Sequence, residues 1–301
     1  MENQKKSYAY AIISILLWST VASAFKISLN YVNFLQLLFY SSIVSIFIFF
    51  LILLFQNKLS LLEAYSKKDY LHSLFLGFLN PFLYYIVLFK AYSLLPAQEA
   101  QPLNYTWPIM LVLLSALLLK QKITFKNIFA VFIGFIGVVI IITRGDISSL
   151  KFSDPFGIFL AILSSFLWAL FWIYNIKDDR DVVAKLFLNF SFGFIFILIA
   201  NLLFSGIKIP SIEGIFGTAY VGLFEMGITF IIWLKALELS KTTAKISNLL
   251  FLTPFISLIF IHLIVGEKIL FSTMIGLIFI VTGILLQQYS FASIQKHGKN
   301  Y

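Results

Sequence analysis

The sequence predicts an all-α polytopic membrane protein of ten transmembrane helices, arranged as two inverted five-helix repeats. Three observations carry that expectation. Of 301 residues, 60% are apolar and only 12% charged, whereas ordinary soluble domains carry about twice that charge. The apolar residues gather into runs of about 20, the length that spans a bilayer. The second half of the chain also repeats the first. The same composition excludes disordered, collagenous and nucleic-acid-binding classes. With no cysteine, disulfides, thiolate catalysis and Cys-ligated metals are excluded as well.

Taken in order, the hydrophobic segments lie near 8–29, 33–55, 70–92, 97–119, 126–143, 155–176, 184–205, 213–237, 243–265 and 270–290. Runs this long without period-two alternation fit helices, which satisfy their own backbone polar groups in lipid, and not barrel strands. The first segment follows Lys5 and Lys6 and ends in Ala22-Ser23-Ala24, an imitation of a secretory signal. Its length, the nine spans after it and its recurrence later in the chain predict that it is retained.

With the N-terminus placed in the cytoplasm, fifteen of the 22 basic residues fall on inside segments. Four fall outside, namely Arg144, Lys151, Lys208 and Lys268, and Lys26, Lys90 and Lys235 sit in or at the ends of spans. That asymmetry predicts cytoplasmic N- and C-termini and a multi-pass protein of the cell inner membrane. The net charge of +9 is thereby read as topology, not as evidence of an anionic ligand.

The internal repeat is carried by matches that apolar bias does not supply. Ala11 to Trp18 aligns with Ala161 to Trp168 at an offset of 150; Gly77 and Lys90-Ala91 align with Gly222 and Lys235-Ala236 at 145; Pro108, Lys122-Ile123, Phe125 and Gly137 align with Pro254, Lys268-Ile269, Phe271 and Gly283 at 146. The predicted units are 1–146 and 147–301, together one transport domain. Five is odd, so the second unit starts on the opposite side of the membrane and the repeats are inverted. Inverted halves can exchange conformations around a central site, the design of secondary transporters.

Leu17-Trp18-Ser19 with Lys26, the Lys-Ala pairs that end spans 3 and 8, Asn104-Tyr105-Thr106-Trp107-Pro108 in span 4, and the Lys-Gln-Lys-Ile and Gly-Glu-Lys-Ile turns resemble the drug/metabolite transporter superfamily, EamA type. The span-4 motif is similar to that of the YddG-like aromatic amino acid exporters. The resemblance implies a ten-helix carrier that exports amino acids and related metabolites through a cavity lined by both halves. The chain departs from the family pattern at Ser19, where Gly is common, and at Gln121, where the first half lacks the acid that Glu267 supplies in the second.

Glu225 is the only acid placed halfway along a span, where an ionised group needs a partner or a function. It reads as a proton-coupling or amine-binding carboxylate, or else as a neutral structural Glu. Its repeat counterpart is Asn80, with Tyr84 one turn further on. Gln101, Asn104, Tyr105 and Pro108 share a helical face with Trp107 nearby, either gluing helices or lining a pocket. Trp18 and Trp168 are paired by the repeat near midspan. Lys26 and Lys235 read as headgroup anchors, and Lys90 as a partner for Glu99. Pro108 and Pro254 are expected to kink their helices.

The expected substrate-binding set is therefore Trp18, Asn80, Tyr84, Asn104, Tyr105, Trp107, Trp168 and Glu225. Histidines 72, 262 and 297 lie at or beyond span ends without carboxylates spaced for a metal, and no phosphate loop or nucleophile motif occurs. No cofactor or metal is expected, and an intramembrane enzyme is disfavoured. The function predicted is export of a small amphipathic molecule, an amino acid or derivative, by alternating access, with protons as candidate coupling ion. Uptake or exchange of a metabolite is the alternative.

Overall fold

The computed structural model describes residues 2–118, 124–146, 153–175, 178–240 and 243–297. The repeat match at Lys122-Ile123, Gln121, and the basic residues Lys120, Lys151, Lys177, Lys241 and Lys299 lie outside them. Among the described residues the chain is helical throughout, with no strand. The helices are α1 (Glu2–Ser28), α2 (Phe34–Phe55), α3 (Lys67–Leu94), α4 (Ala97–Asn104), α5 (Trp107–Leu118), α6 (Phe125–Ile142), α7 (Pro155–Asn175), α8 (Val182–Phe204), α9 (Ile212–Glu238), α10 (Ile246–Val265) and α11 (Phe271–His297). All but α4, α5 and α11 are counted long and apolar enough to cross a membrane, which makes eight among the described residues, and α11 is apolar over its stretch Phe271–Gln287. The predicted span 97–119 is therefore not one helix but two short ones.

Side chains that satisfy the first free N–H groups set where several helices begin. Asn33 and Ser66 each form a capping box, with Gln36 and Asp69. Thr124, Asp181 and Ser211 cap α6, α8 and α9. Around the perimeter Phe47, Phe132, Phe159 and Leu203 are exposed, an apolar belt that lipid solvates.

Four places interrupt the helices. In α3 Asn80 leaves helical geometry (φ −148°, ψ 117°) ahead of Pro81. In α9 the chain widens over Val221–Glu225, and Gly227 takes φ −115°, ψ −106°. Between α4 and α5 the break falls at Tyr105 and Thr106, and in α10 a tighter turn covers Leu250–Leu252. Pro108 and Pro254 do not kink continuous helices, as expected from sequence, but stand in the first turn of the piece that follows each break. A first turn needs no N–H from proline, so the ring is tolerated there.

The packing is exchanged along the chain. α1 lies against α9 and α10, while α7 lies against α3, α4 and α5; α2 meets α8, and α6 meets α11. Several crossings come so close that only glycine fits, the α6–α11 one at Gly137 and Gly276 and two others among them. A Cβ at Gly77 would strike the carbonyl oxygen of Asn189 in α8, and one at Gly222 would strike that of Ser41 in α2. At the second crossing the Ser45 hydroxyl donates to the Gly222 carbonyl at 2.8 Å and Ser41 to Thr218 at 2.9 Å. At the first, the Asn189 amide is buried without a protein partner.

Candidate functional site

The breaks in α9, between α4 and α5, and in α10 border a cavity of about 550 Å³. Its floor and walls come from α1, α3, α4, α5, α7, α9, α10 and α11. Serines hold the breaks in place. Asn104 Nδ2 donates to Ser164 Oγ at 2.9 Å and Thr106 to Ser165 at 3.0 Å, pinning the α4–α5 break to α7. Gln101 Nε2 donates to Ser257 Oγ at 2.6 Å, and Ser257 in turn donates to the Ser19 carbonyl, tying α4 to α10 and α1.

Of the expected set, Trp18, Tyr84, Asn104, Tyr105, Trp107, Trp168 and Glu225 line this cavity. Asn80 does not. It is buried beside the α3–α8 crossing, with its side-chain oxygen unpartnered, because the break at Pro81 turns it away from the face that carries Tyr84. Sequence reasoning passed over Phe230, Trp233, Gln287 and Tyr85. All five tryptophans of the chain, Trp18, Trp107, Trp168, Trp172 and Trp233, line the cavity, and that census was the signal available for Trp233.

The aromatic rings form a connected box. Trp168 stacks on Tyr84 at 4.6 Å between centroids and approaches Phe230 at 6.1 Å. Phe230 meets Trp18 edge-on at 5.5 Å, and Trp18 meets Trp233 at 5.8 Å. Glu225 is half-buried, faces the cavity, and among the described residues is the only carboxyl or basic side chain in its lining. Tyr85, fully buried, donates to Glu225 Oε1 at 3.2 Å, which joins the broken stretch of α9 to the segment after the break in α3.

One end of the cavity is fastened shut. Above Phe25, which packs against Phe89 and Tyr92, Lys26 Nζ donates to the carbonyls of Tyr92 (3.0 Å) and Leu95 (2.8 Å) at the end of α3. Lys26 is thus a helix-end clamp and not the headgroup anchor expected. Glu267 accepts the N–H groups of Ala97 (2.7 Å) and Gln98 (3.1 Å) at the start of α4. The Gln98 side chain donates to the Lys268 carbonyl and accepts from Leu270 N–H. Glu99 pairs with Arg144 at 2.9 Å and accepts from Ser153, so it is not the partner of Lys90, whose ammonium lies over the Phe34 ring. Lys235 pairs with Glu238 on the exposed surface.

The opposite end is lined by Ser115, Trp172, Leu237, Ser247 and Gln287, none of them charged. The charges on that side lie beside the cavity, in the loops. Arg180 binds Asp178 at 2.7 Å and the Asp69 carbonyl at 3.0 Å, and Lys58 binds Asp181 at 2.7 Å. Burial alone would raise the carboxyls of Asp178 and Asp181, but hydrogen bonds and charge from Arg180 and Lys58 outweigh it and hold both below the usual range. Among the described residues no group of three or more acids and histidines could hold a metal.

The model of the EamA-like transporter family matches residues 5–143 and again 155–287. An uncharacterized transporter of Archaeoglobus fulgidus is 25% identical over 93% of this chain and 96% of its own length. The uncharacterized transporter YoaV of Bacillus subtilis is 23% identical over 81% of this chain and 83% of its own. A solved crystal structure superposes with a TM-score of 0.66 at 19% identity, covering 96% of this chain and 99% of that one, which is a likeness of fold.

Proposed function

Since the chain belongs to the EamA-like transporter family, and so is a multi-pass membrane transporter and not an enzyme, we propose that it is a secondary carrier that exports small amphipathic metabolites, amino acids or their derivatives, by alternating access. The observation that carries this reading is a cavity bordered by the breaks in α9, between α4 and α5, and in α10, fastened at one end and, among the described residues, lined by uncharged side chains at the other. Discontinuous helices around a midplane site are how such carriers hold substrate while the halves rock.

The ten-span, two-repeat organisation at 1–146 and 147–301 is part of the proposal. The exchanged packing of α1 with α9 and α10, and of α7 with α3 to α5, supports it, as does the family model fitting each half. The excess of basic residues on one side favours cytoplasmic termini in the cell inner membrane, which puts the Lys26 and Glu267 fastening outside and opens the cavity toward the cytoplasm. Trp18, Tyr84, Asn104, Tyr105, Trp107 and Trp168 form the binding region. Glu225 takes a proton or an amine, and Asn80 supports the break without touching substrate.

Flux into proteoliposomes with a panel of amino acids and their amides, esters and amines, with and without a pH gradient, tests the reading. Transport of at least one solute is expected, with Glu225→Gln reducing it at least about tenfold while the purified variant stays monodisperse. No flux of any solute under either condition would overturn it.

A further inference from the structure

We propose that the cavity selects organic ammonium ions that carry no free carboxylate: amines, amides or esters of the amino-acid type, in preference to zwitterions and anions. The inference rests on the carrier reading and names the substrate class of that same site.

Charge comes first. Among the described residues Glu225 is the one acidic side chain in the lining, and no Lys, Arg or His accompanies it. Lys26, the nearest cation along α1, is outside the lining and is held by the Tyr92 and Leu95 carbonyls. A charge removed from water needs a partner. An ammonium finds one in Glu225, whereas a carboxylate in the same space finds none.

The aromatic box points the same way. Ring faces are electron-rich, and a cation within about 6 Å of a centroid is attracted to them, most strongly by tryptophan. Five tryptophans surround this cavity, and Trp18, Phe230, Trp168 and Tyr84 run in unbroken contact toward Tyr85 and Glu225.

Hydrogen-bonding capacity agrees. The amide nitrogens of Gln101 and Asn104 each donate to a serine, Ser257 and Ser164. The side-chain oxygen of Gln101, itself only 5% exposed, is an unpartnered acceptor, which matches the N–H of an ammonium. Toward the uncharged end Trp172 Nε1 and Gln287 Nε2 are unpartnered donors. These two neutral groups suit a hydroxyl, amide or ester oxygen, and neither supplies the charge that a carboxylate requires. Specificity therefore rests on an unpaired charge imposed on the wrong ligand as much as on contacts made with the right one.

The test uses the purified full chain in nanodiscs and the fluorescence of its own tryptophans, all of which face the site. The probes are 2-phenylethylamine, phenylalanine methyl ester, phenylalanine, 3-phenylpropionate and 2-phenylethanol. The two cations are expected to bind at least about tenfold more tightly than phenylalanine, and 3-phenylpropionate to leave the signal unchanged. Glu225→Gln is expected to weaken 2-phenylethylamine at least about tenfold and to leave 2-phenylethanol unaffected, which shows that the variant is folded. Gln101→Leu should weaken the amine several-fold with the same control. Phenylalanine binding as tightly as the amine, an amine affinity indifferent to Glu225→Gln, or no response to any probe would overturn the inference. Flux of the same probes separates the two proposals. If phenylalanine crosses and the amines do not, the carrier stands and the ammonium preference falls; if the amines bind and no probe crosses, the preference stands and the carrier falls.

Discussion

The two ends of the cavity are built differently. At the Lys26 end the charged groups belong to the pieces that close it: Lys26 clamps the end of α3, Glu267 caps the start of α4, and Glu99 reaches Arg144. At the Gln287 end the charged groups stand aside, and Asp178, Arg180, Lys58 and Asp181 staple loops that do not line the cavity. Charge therefore acts as a latch at one end and as scaffolding at the other. Breaking the latch should change access to the cavity, and breaking the scaffold should change stability alone.

The largest expected effect comes from Glu267→Ala, which removes both bonds to the first N–H groups of α4. Hydrogen bonds to a charged group contribute about 1.5–3 kcal/mol each, so a loss of about 3 kcal/mol shifts the closed state against the open one by about 100-fold. Because the chain has no cysteine, Ala100→Cys, a fully buried position in α4, reports opening cleanly through its labelling rate. That rate should rise by about two orders of magnitude.

Arg144→Gln should act in the same direction with less force. It leaves the Glu99 carboxylate, 1% exposed, with Ser153 alone. A buried group left unsatisfied costs about 1–3 kcal/mol and more when charged, a cost reduced here because Arg144 is itself 46% exposed and its charge partly screened. About a tenfold increase in labelling of the same cysteine is the expected result.

The smallest effect falls at the other end. Asp178→Asn should lower Tm by about 2–4 °C without altering the labelling. Arg180 holds Asp178 below the usual carboxyl range. Its contribution is therefore whole above the ordinary aspartate value of about 4, and is lost as pH falls through the lowered folded value. The Tm gap between wild type and variant should hold from pH 7 down to about pH 5 and close only in stronger acid, as melting curves across pH will register.

What the sequence disclosed and what it withheld follow from range. Helix limits were legible because apolar runs are local; the caps at Asn33 with Gln36 and Ser66 with Asp69 are equally local, within four residues, but went unread. Seven of eight expected lining residues meet in one cavity, since Trp, Tyr, Asn and Glu have little reason to stand together in lipid. The eighth, Asn80, was misplaced because the Asn80-Pro81 dipeptide, a turn former, was read as continuous helix. The latch was not legible at all: Glu267 and Ala97 are 170 residues apart, and no periodicity joins them. Lys26 looked like an anchor because the carbonyls it clamps are invisible until α3 ends beside it.

The carrier account makes one demand that neither a channel nor a static pocket makes, which is that the two ends open in alternation. Ala100→Cys at the latch and Ser247→Cys, which lines the other end, can be labelled separately on the Glu267→Ala background and on the wild-type background. The account predicts that opening the latch speeds labelling at position 100 and slows it at position 247 in the same preparation. Equal acceleration at both positions, or a change at 100 with none at 247, would contradict it.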